Sequence, residues 1–375
     1  MQETKVKKDN FLKQTELSLK KAINKMLKGG KTPTFISKPE EIFSQYKLNK
    51  ILILRHDRIG DVLVTIPTLK ILREKLPNVR IDIVLSEKNA GVSPSLEPYV
   101  NNVLIYKKDV KSVVLLRSEL RHEKYDLLID PFDNVSTTSS LLISMTKARL
   151  TLGIDKDNRN LYDYTVPLLN KNKYHIVDRI AQILIPFGID PTKQKKQLNY
   201  NLKDYEEKKA RALIGDKKNT FRVGVILTGS TDAKFWGITN NVKFINSVDE
   251  QYNDTEFVVF ATREMEDKLE LIKERTNAKI APFVDTVHDY AMLLSTCDMI
   301  LTPDTSAVHF AAAFKIPAIA LYKVVPGHSA GLPWTPYGTP FKAIQTSKGS
   351  LKDIQLDDVV NAFRELHSEI AIRHN

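Results

Sequence analysis

Short apolar runs of strand type alternate along this chain with stretches in which apolar residues recur at helical spacing. The runs that predict buried strands lie at residues 51–54, 81–85, 103–106, 127–130, 150–152, 221–228, 257–261, 299–302 and 318–322. The stretches that predict helices lie at residues 62–75, 176–187, 204–214 and 308–314 and in the tail from residue 356. Strands that alternate with helices form mostly parallel sheets, so the pattern predicts an α/β fold.

The pattern divides into two similar halves, each of which carries a buried strand followed by a polar loop and a helix. We predict two doubly wound, Rossmann-like domains, residues 49–203 and 204–350, that face each other across one cleft. The polar and weakly periodic stretch 155–205 is predicted to contain the connection between them. Residues 351–375 are predicted to form a helix that packs back on the body.

Residues 1–48 precede this fold and are predicted to form a basic helical arm and a linker. Within residues 9–28 one helical face is apolar and lysines occupy much of the remainder. Such a helix binds either an anionic membrane surface or the body of the protein or a partner subunit, and the sequence supports both interpretations equally. Residues 30–48, which include Pro33 and Pro39, are predicted to be the linker.

The net charge of +11 belongs mainly to this arm. Residues 1–50 hold twelve lysines and no arginine against five acidic residues, which gives +7, so the other 325 residues carry only +4. The basic charge is therefore not spread over the fold itself. This distribution argues against a nucleic-acid-binding function for the two domains.

The composition of the 375 residues, 42% hydrophobic and 27% charged, is typical of a soluble globular protein with two domains. The single cysteine, Cys297, excludes an intramolecular disulfide and a cysteine-based zinc site. The histidines show no metal-ligand spacing, so no metal is expected. No apolar run approaches the roughly 18 residues of a membrane span, and the N-terminus lacks the apolar region of a secretion signal.

Three polar loops at the ends of predicted strands carry residues suited to chemistry. Gly60 and Asp61 follow the first strand, and a helix N-terminus there would keep Asp61 ionised and able to accept a proton. The loop at residues 228–234 offers hydroxyls and Lys234 to phosphate oxygens. Residues 304–306 begin a helix, where free N–H groups and the helix dipole favour an anion.

Each of these loops also has an ordinary structural explanation. Asp61, like Asp304 or Thr305, can be a simple helix N-cap, and Lys234 can be a surface lysine. Asp57 competes with Asp61 for the role of base. The sequence contains neither of the glycine-rich phosphate motifs G-x-G-x-x-G and G-x-x-x-x-G-K-[ST], which disfavours dinucleotide-binding and P-loop functions.

The order of three segments resembles glycosyltransferase family nine, the heptosyltransferases. The segments are ILILRHDRIGDVLVTIPTLKILREKLPNVRIDIV, LTGSTDAKFWGITN and CDMILTPDTSAVHFAAAFKIPAIALY. They are similar to the family's opening strand with its Gly-Asp turn, to its middle loop with a lysine shortly before a tryptophan, and to its Asp-Thr-Gly/Ser-x-x-His-x-Ala-Ala signature. The resemblance covers residues 50–345 and implies the GT-B fold.

The resemblance implies an inverting, metal-independent glycosyltransferase that takes a sugar from a nucleotide-diphosphate donor, most often heptose from ADP-heptose. The implied acceptor is the lipopolysaccharide core or another glycan, lipid-linked or protein acceptor. The implied location is the cytoplasm, at the inner face of the cytoplasmic membrane, and no cofactor is expected.

Carried over residue by residue, the resemblance makes Asp61 the general base and Lys234 the lysine that meets the diphosphate. The family's glutamate near the nucleoside corresponds to Glu264 or Glu266. The residues that we predict to bind substrate are Gly60, Thr228, Ser230, Glu264, Asp304, Thr305, Ser306 and His309.

The chain departs from the family pattern at two places. Ser306 stands where many members have glycine, which predicts a less close approach of the backbone to the phosphate. Residues 55–58 are more charged than usual, which indicates a different acceptor. Two other function classes stay open: a sugar-nucleotide epimerase on the same scaffold and a non-catalytic, membrane-associated nucleotide-sugar-binding protein.

Overall fold

The computed structural model describes residues 29–217, 220–229, 231–324 and 332–374 of the protein. The predicted amphipathic helix at residues 9–28 and the predicted site residue Ser230 lie outside these residues. The described residues form two β-sheets in which all neighbouring strands pair in parallel. This is the predicted architecture of two Rossmann-like halves.

The first half contains a seven-stranded sheet. Its strands are β1 (Thr34–Phe35), β2 (Lys50–Leu54), β3 (Arg80–Ser86), β4 (Asn102–Tyr106), β5 (Leu127–Asp130), β6 (Leu150–Ile154) and β7 (Tyr164–Val166). Their order in the sheet is β1-β7-β6-β5-β2-β3-β4. Its α-helices are α1 (Ile59–Leu63), α2 (Ile66–Lys75), α3 (Val110–Glu123), α4 (Thr137–Thr146) and α5 (Ile176–Ile180).

The second half contains a six-stranded sheet. Its strands are β8 (Phe221–Ile226), β9 (Thr255–Phe260), β10 (Lys279–Ile280), β11 (Met299–Pro303), β12 (Ala318–Lys323) and β13 (Phe341–Thr346). Their order is β10-β9-β8-β11-β12-β13. Its α-helices are α6 (Asp204–Ile214), α7 (Ile238–Asp249), α8 (Glu266–Arg275), α9 (Val287–Leu294), α10 (Ala307–Phe314) and α11 (Leu356–His374).

Both sheets reverse their winding direction once. In the first sheet the chain moves outward from β2 to β4, then returns to the other side of β2 and moves from β5 to β7. In the second sheet the same reversal separates β8 from β11. Ligands of doubly wound sheets bind at such switch points, outside the carboxyl ends of the strands. The topology therefore predicts that the loops after β2, β5, β8 and β11 bind the ligand.

The sheets are buried on both faces, because alternate residues of one strand enter different apolar clusters. Ile51 and Ile53 of β2 pack into one cluster, whereas Leu52 and Leu54 pack into another. This explains why the predicted strands are continuously apolar rather than alternating. The first of these clusters also includes Phe310 of α10, so that the two halves share part of their apolar packing.

The structure corrects the prediction of one helix at residues 62–75. The chain forms two helices here, and α1 ends at Leu63 before α2 begins at Ile66. Pro67 is the reason, because a proline ring clashes with the carbonyl four residues earlier, which is that of Leu63. Pro67 itself lies in the first turn of α2, where it is tolerated. The short α1 consequently carries Gly60 and Asp61 as a separate unit.

The structure also corrects the interpretation of residues 30–48 as a linker. Strand β1 lies in this segment and pairs with β7, and Phe43 is buried in the core. The stretch 155–205 likewise contributes β7 and the buried helix α5 to the first half, so that less of it connects the halves than its polar composition predicts. The tail forms α11, whose Phe363 is buried in the core of the second half.

Candidate active site in the cleft

A cavity of about 980 Å³ lies between the two halves, at the carboxyl ends of the strands that flank both switch points. The predicted site residues that line it are Gly60, Asp61, Thr228, Lys234, Glu264, Asp304, Thr305, Ser306 and His309. The structure therefore brings together every predicted site residue that it describes. Asp57 lines the same cavity.

The first half contributes two carboxylates that share one enclosed arginine. Arg55 follows β2, and only 2% of its side chain is exposed. Its Nη1 lies 3.4 Å from Asp57 Oδ2, and its Nη2 lies 3.5 Å from Asp61 Oδ1. The guanidinium also lies 5.0 Å from the ring centroid of Phe132, which follows β5. Arg55 thus holds both carboxylates at the first switch point.

Asp61 has a structural role as well as a place on the cavity wall. Its Oδ2 accepts a hydrogen bond from the backbone N–H of Arg58 at 3.3 Å, which helps to cap α1. Its backbone carbonyl accepts from Arg55 Nε at 2.9 Å and from Thr65 Oγ1 at 2.8 Å. Asp61 is therefore fixed in position. It caps α1 and also lines the cavity, so the two explanations do not exclude each other.

Asp57 has a different environment from Asp61. Burial raises the pKa of Asp57 to about 7, while the nearby Arg55 cation opposes this shift and the Asp61 carboxylate adds to it. Asp57 Oδ1 is buried and has no hydrogen-bond partner among the described residues. Near neutral pH the Asp57 carboxyl group is therefore protonated in part.

Gly60 of the first half packs closely against His309 of the second half. A Cβ atom built on Gly60 would lie 2.6 Å from His309 Cδ2, so this position excludes a side chain. His309 lies on α10, and its ring centroid is 5.9 Å from that of Trp334. Burial lowers the pKa of His309 to about 3, so its imidazole is neutral. The predicted binding residue His309 is thus also a packing contact across the cleft.

Lys234 occupies the second switch point, between the loops that follow β8 and β11. Its Nζ lies 2.6 Å from Asp304 Oδ2 and donates to the Asp304 backbone carbonyl at 3.0 Å. A Cβ atom on Gly229 would lie 2.5 Å from Lys234 Cβ, so glycine allows the loop to fold back closely. Lys234, which the sequence left open as either a phosphate-binding residue or a surface lysine, lines the cleft.

The start of α10 faces the same space. Ser306 is the N-cap residue of this helix and makes no side-chain capping bond. Thr305 Oγ1 instead accepts from the Ala307 N–H at 3.2 Å, so the hydroxyl of Thr305 satisfies one N–H of the helix start although the N-cap is Ser306 and not the predicted Asp304 or Thr305. With Lys234, the helix N-terminus makes this part of the cavity wall electropositive and suited to an anion.

Of the two glutamates that the resemblance offers for the nucleoside, Glu264 and Glu266, Glu264 is the one that lines the cavity. Glu266 instead begins α8. Beside Glu264, the guanidinium of Arg263 lies 5.2 Å from the ring centroid of Phe283. Sequence analysis missed this loop because Phe283 follows a strand of only two residues, β10, which shows no apolar run.

Sequence analysis also missed the loop after β5. Phe132, Asp133 and Asn134 line the cavity. The sequence could have indicated this loop, because it directly follows the correctly predicted strand at residues 127–130. The carboxyl ends of neighbouring parallel strands lie at one edge of the sheet, where ligands bind. Among the described residues no group of three His, Cys, Asp or Glu side chains is arranged to hold a metal ion.

Comparisons with known proteins agree with this geometry. The sequence model of glycosyltransferase family 9 (heptosyltransferase) matches residues 113–357, which is more than half of the chain. A putative lipopolysaccharide heptosyltransferase 4 of Escherichia coli strain K12 is 25% identical over 330 residues, covering 84% of this chain and 86% of the relative.

Two solved structures show the same fold. A family 9 glycosyl transferase from Veillonella parvula DSM 2008 has a TM-score of 0.73 at 19% identity, covering 86% of this chain and 99% of that one. The E. coli heptosyltransferase WaaC with ADP has a TM-score of 0.69 at 17% identity, covering 84% and 99%. The chain belongs to glycosyltransferase family 9, the heptosyltransferase family, and is a glycosyltransferase with the GT-B fold.

Proposed function

We propose that this glycosyltransferase moves a heptose from ADP-heptose to a lipopolysaccharide-core or related glycan acceptor, with inversion at the anomeric carbon. The observation that carries the proposal is that Asp61 of the first half and Lys234 of the second half line one cavity. Support for the donor comes from the E. coli heptosyltransferase that was solved with ADP. Support for the acceptor comes from the lipopolysaccharide heptosyltransferase named among the relatives.

In the proposed reaction Asp61 accepts the proton of the acceptor hydroxyl as its oxygen attacks the anomeric carbon. The bond between that carbon and the diphosphate oxygen breaks in the same displacement, and ADP leaves. Arg55 holds the Asp61 carboxylate in place, which keeps the base oriented before the acceptor binds.

The second half would stabilise the leaving diphosphate. When no donor is bound, Lys234 is paired with Asp304, and we propose that the diphosphate takes the place of this partner. Asp304 would then be available to accept hydrogen bonds from sugar hydroxyls. The start of α10 adds its dipole, so that these groups supply charge stabilisation without a metal ion or cofactor.

We assign one end of the cavity to the nucleoside of the donor and the other end to the acceptor. Glu264, beside the stacked pair of Arg263 and Phe283, would hold the nucleoside, and Thr228 and Ser230 would offer hydroxyls to the phosphates. The acceptor would enter on the side of Asp57 and Asp61. The lysine-rich segment 9–28 would hold the enzyme at the inner, cytoplasmic face of a membrane.

Family membership sets aside the alternatives of an epimerase and a non-catalytic binding protein. The donor is tested by calorimetry with ADP-, UDP-, GDP- and dTDP-sugars, where we expect ADP-heptose to bind most tightly. Mass spectrometry of a truncated lipopolysaccharide-core oligosaccharide incubated with ADP-heptose should then show the addition of one heptose. Preferred binding of another nucleotide sugar, or no transfer to this acceptor, would contradict the proposal.

A further inference from the structure

Helix α3 of the first half exposes an apolar surface to solvent. The exposed fractions of Val110, Val114 and Leu115 are 80%, 57% and 60%. Residues four apart in a helix lie on one face, so Val110 and Val114 are neighbours there, and Leu115 lies about 100° further round the exposed side of the helix. The opposite face carries Leu116 and Leu120, which are buried in the core of the first half. A surface helix of this type normally presents polar residues outward.

Basic residues surround this apolar surface. Between residues 107 and 122 the chain has five basic residues and two acidic ones, which gives a net charge of +3 with histidine neutral. The basic residues are Lys107, Lys108, Lys111, Arg117 and Arg121. One of the two acids, Asp109, is the N-cap of α3 and accepts from the Ser112 N–H at 2.9 Å.

The surface lies beside the first-half wall of the cleft. Lys107 follows β4, and all strands of the sheet are parallel, so it lies at the same edge as the loop that carries Asp61. Tyr106, the last residue of β4, has its ring centroid 6.0 Å from that of His56. His56 directly precedes Asp57, which lines the cavity, so the segment that leads into α3 lies near the wall where the acceptor would enter.

We propose that the outward face of α3, formed by Lys107, Lys108, Val110, Lys111, Val114 and Leu115, docks on an anionic lipid bilayer. Aliphatic side chains enter the headgroup region while neighbouring lysines contact anionic headgroups, and both features are present on this face. Docking by this face would direct the first-half side of the cleft towards the bilayer. The presence of a lipid-linked acceptor there rests on the proposed function, whereas binding to the bilayer does not.

The test uses the full-length protein and sedimentation with two kinds of vesicle, pure phosphatidylcholine and phosphatidylcholine with phosphatidylglycerol. One variant removes the apolar contacts (Val110→Gln, Val114→Gln and Leu115→Gln). A second variant removes the charges (Lys107→Gln, Lys108→Gln and Lys111→Gln). We expect each to lower the partition coefficient for anionic vesicles at least about tenfold, because apolar insertion and headgroup attraction act together on this face.

Matched controls lie in the second half. Leu213→Gln with Leu271→Gln removes exposed leucines from α6 and α8, and Lys208→Gln with Lys243→Gln and Lys352→Gln removes exposed lysines. We expect these controls to bind vesicles as the parent does. Thermal unfolding of all variants separates loss of binding from loss of folding.

Parent-like binding of both α3 variants, or no binding of the parent to anionic vesicles, would overturn the proposal. A parent dimer in size-exclusion chromatography that becomes monomeric in the α3 variants would also overturn it, since a second copy would then cover this face. The proposed transfer reaction is judged separately, on a soluble acceptor, where both α3 variants should keep the parental kcat/KM. If the parent protein does not transfer sugar to the soluble acceptor, the proposed function is wrong, but the conclusion about vesicle binding by α3 is unaffected.

Discussion

The two switch points have the same topology and differ in their electrostatics. At the first, Arg55 is enclosed and contacts two carboxylates, and only 15% of the Asp61 side chain is exposed. At the second, the Lys234–Asp304 pair is more accessible, with exposed fractions of 23% and 37%. An enclosed pair keeps its geometry, whereas an accessible pair can exchange partners. On the proposed function, this difference would let the same strand–loop–helix arrangement hold a fixed proton acceptor at the first switch point and a replaceable cation at the second.

The largest effect is expected at the fixed side. Asp61→Ala should lower kcat for sugar transfer by about 10²–10⁴-fold, because it removes the proposed base, and Asp57, the other carboxyl group that Arg55 contacts, is partly protonated near neutral pH. Donor affinity, measured by calorimetry, should stay close to that of the parent, since the diphosphate contacts belong to the second half.

Asp61→Asn is the matched control for structure. The amide oxygen can still accept from the Arg58 N–H and cap α1, but it cannot serve as a base. We expect the same loss of kcat with a parental melting temperature. If Asp61→Asn keeps most of its turnover, Asp61 is not the base, and Asp57→Asn should be assayed in its place.

A smaller effect is expected at the replaceable side. Lys234→Ala should weaken ADP binding and lower kcat together, each by about ten- to a hundredfold, because a charge-assisted hydrogen bond contributes about 1.5–3 kcal/mol. Calorimetry with ADP and steady-state kinetics measure the two quantities. Lys243→Ala, an exposed lysine on α7, is the control and should change neither. If Lys234→Ala binds ADP as tightly as the parent does, Lys234 does not contact the diphosphate.

More of the second switch point than of the first could be predicted from the sequence. Lys234 and residues 304–306 follow strongly apolar strands, and all of them line the cavity. The pairing of Arg55 with both Asp57 and Asp61 depends on how deeply the loop after β2 is enclosed, and burial of a polar loop has no signature in residue order. The stacking of Arg55 on Phe132 depends on strand order, since these residues are distant in sequence and meet because β5 lies beside β2.

The contact between Gly60 and His309 shows the same limit. The two residues belong to different halves, and only the folded arrangement places His309 where a side chain at residue 60 would lie. Sequence analysis identified both as site residues through the family resemblance, but it could not assign the packing role that they share. The short strand β1 was missed because two residues in a proline-containing segment show no periodicity.

A third prediction tests whether this contact joins the two sides. Gly60→Ala would place a methyl group 2.6 Å from His309 Cδ2, so we expect it to lower the free energy of unfolding by about 1–3 kcal/mol, as overpacking does. Chemical denaturation measures the change. Gly30→Ala is the control, since a Cβ atom there meets nothing within 4 Å. Gly60→Ala should cost less stability in a His309→Ala background than in the parent, and an equal cost in both backgrounds would show that His309 is not the cause.

The smallest effect concerns the protonation of Asp57. Its pKa in the folded protein is raised to about 7, whereas an Asp in the unfolded chain titrates near its ordinary pKa of about 3.9. Between these two values the folded state binds the extra proton, so the contribution of Asp57 to stability is present at low pH and is lost as pH rises towards 7. Asp57→Asn mimics the protonated form and removes this dependence.

We therefore expect Asp57→Asn to be more stable than the parent at pH 8, by about 1 kcal/mol or more, and the difference to shrink towards pH 4. Denaturant unfolding of both proteins at several pH values measures the difference, in which the titration of all other groups largely cancels. If the difference between the two proteins does not grow with pH, burial does not hold the Asp57 carboxyl protonated, and the first switch point is not enclosed in the way that a fixed pair requires.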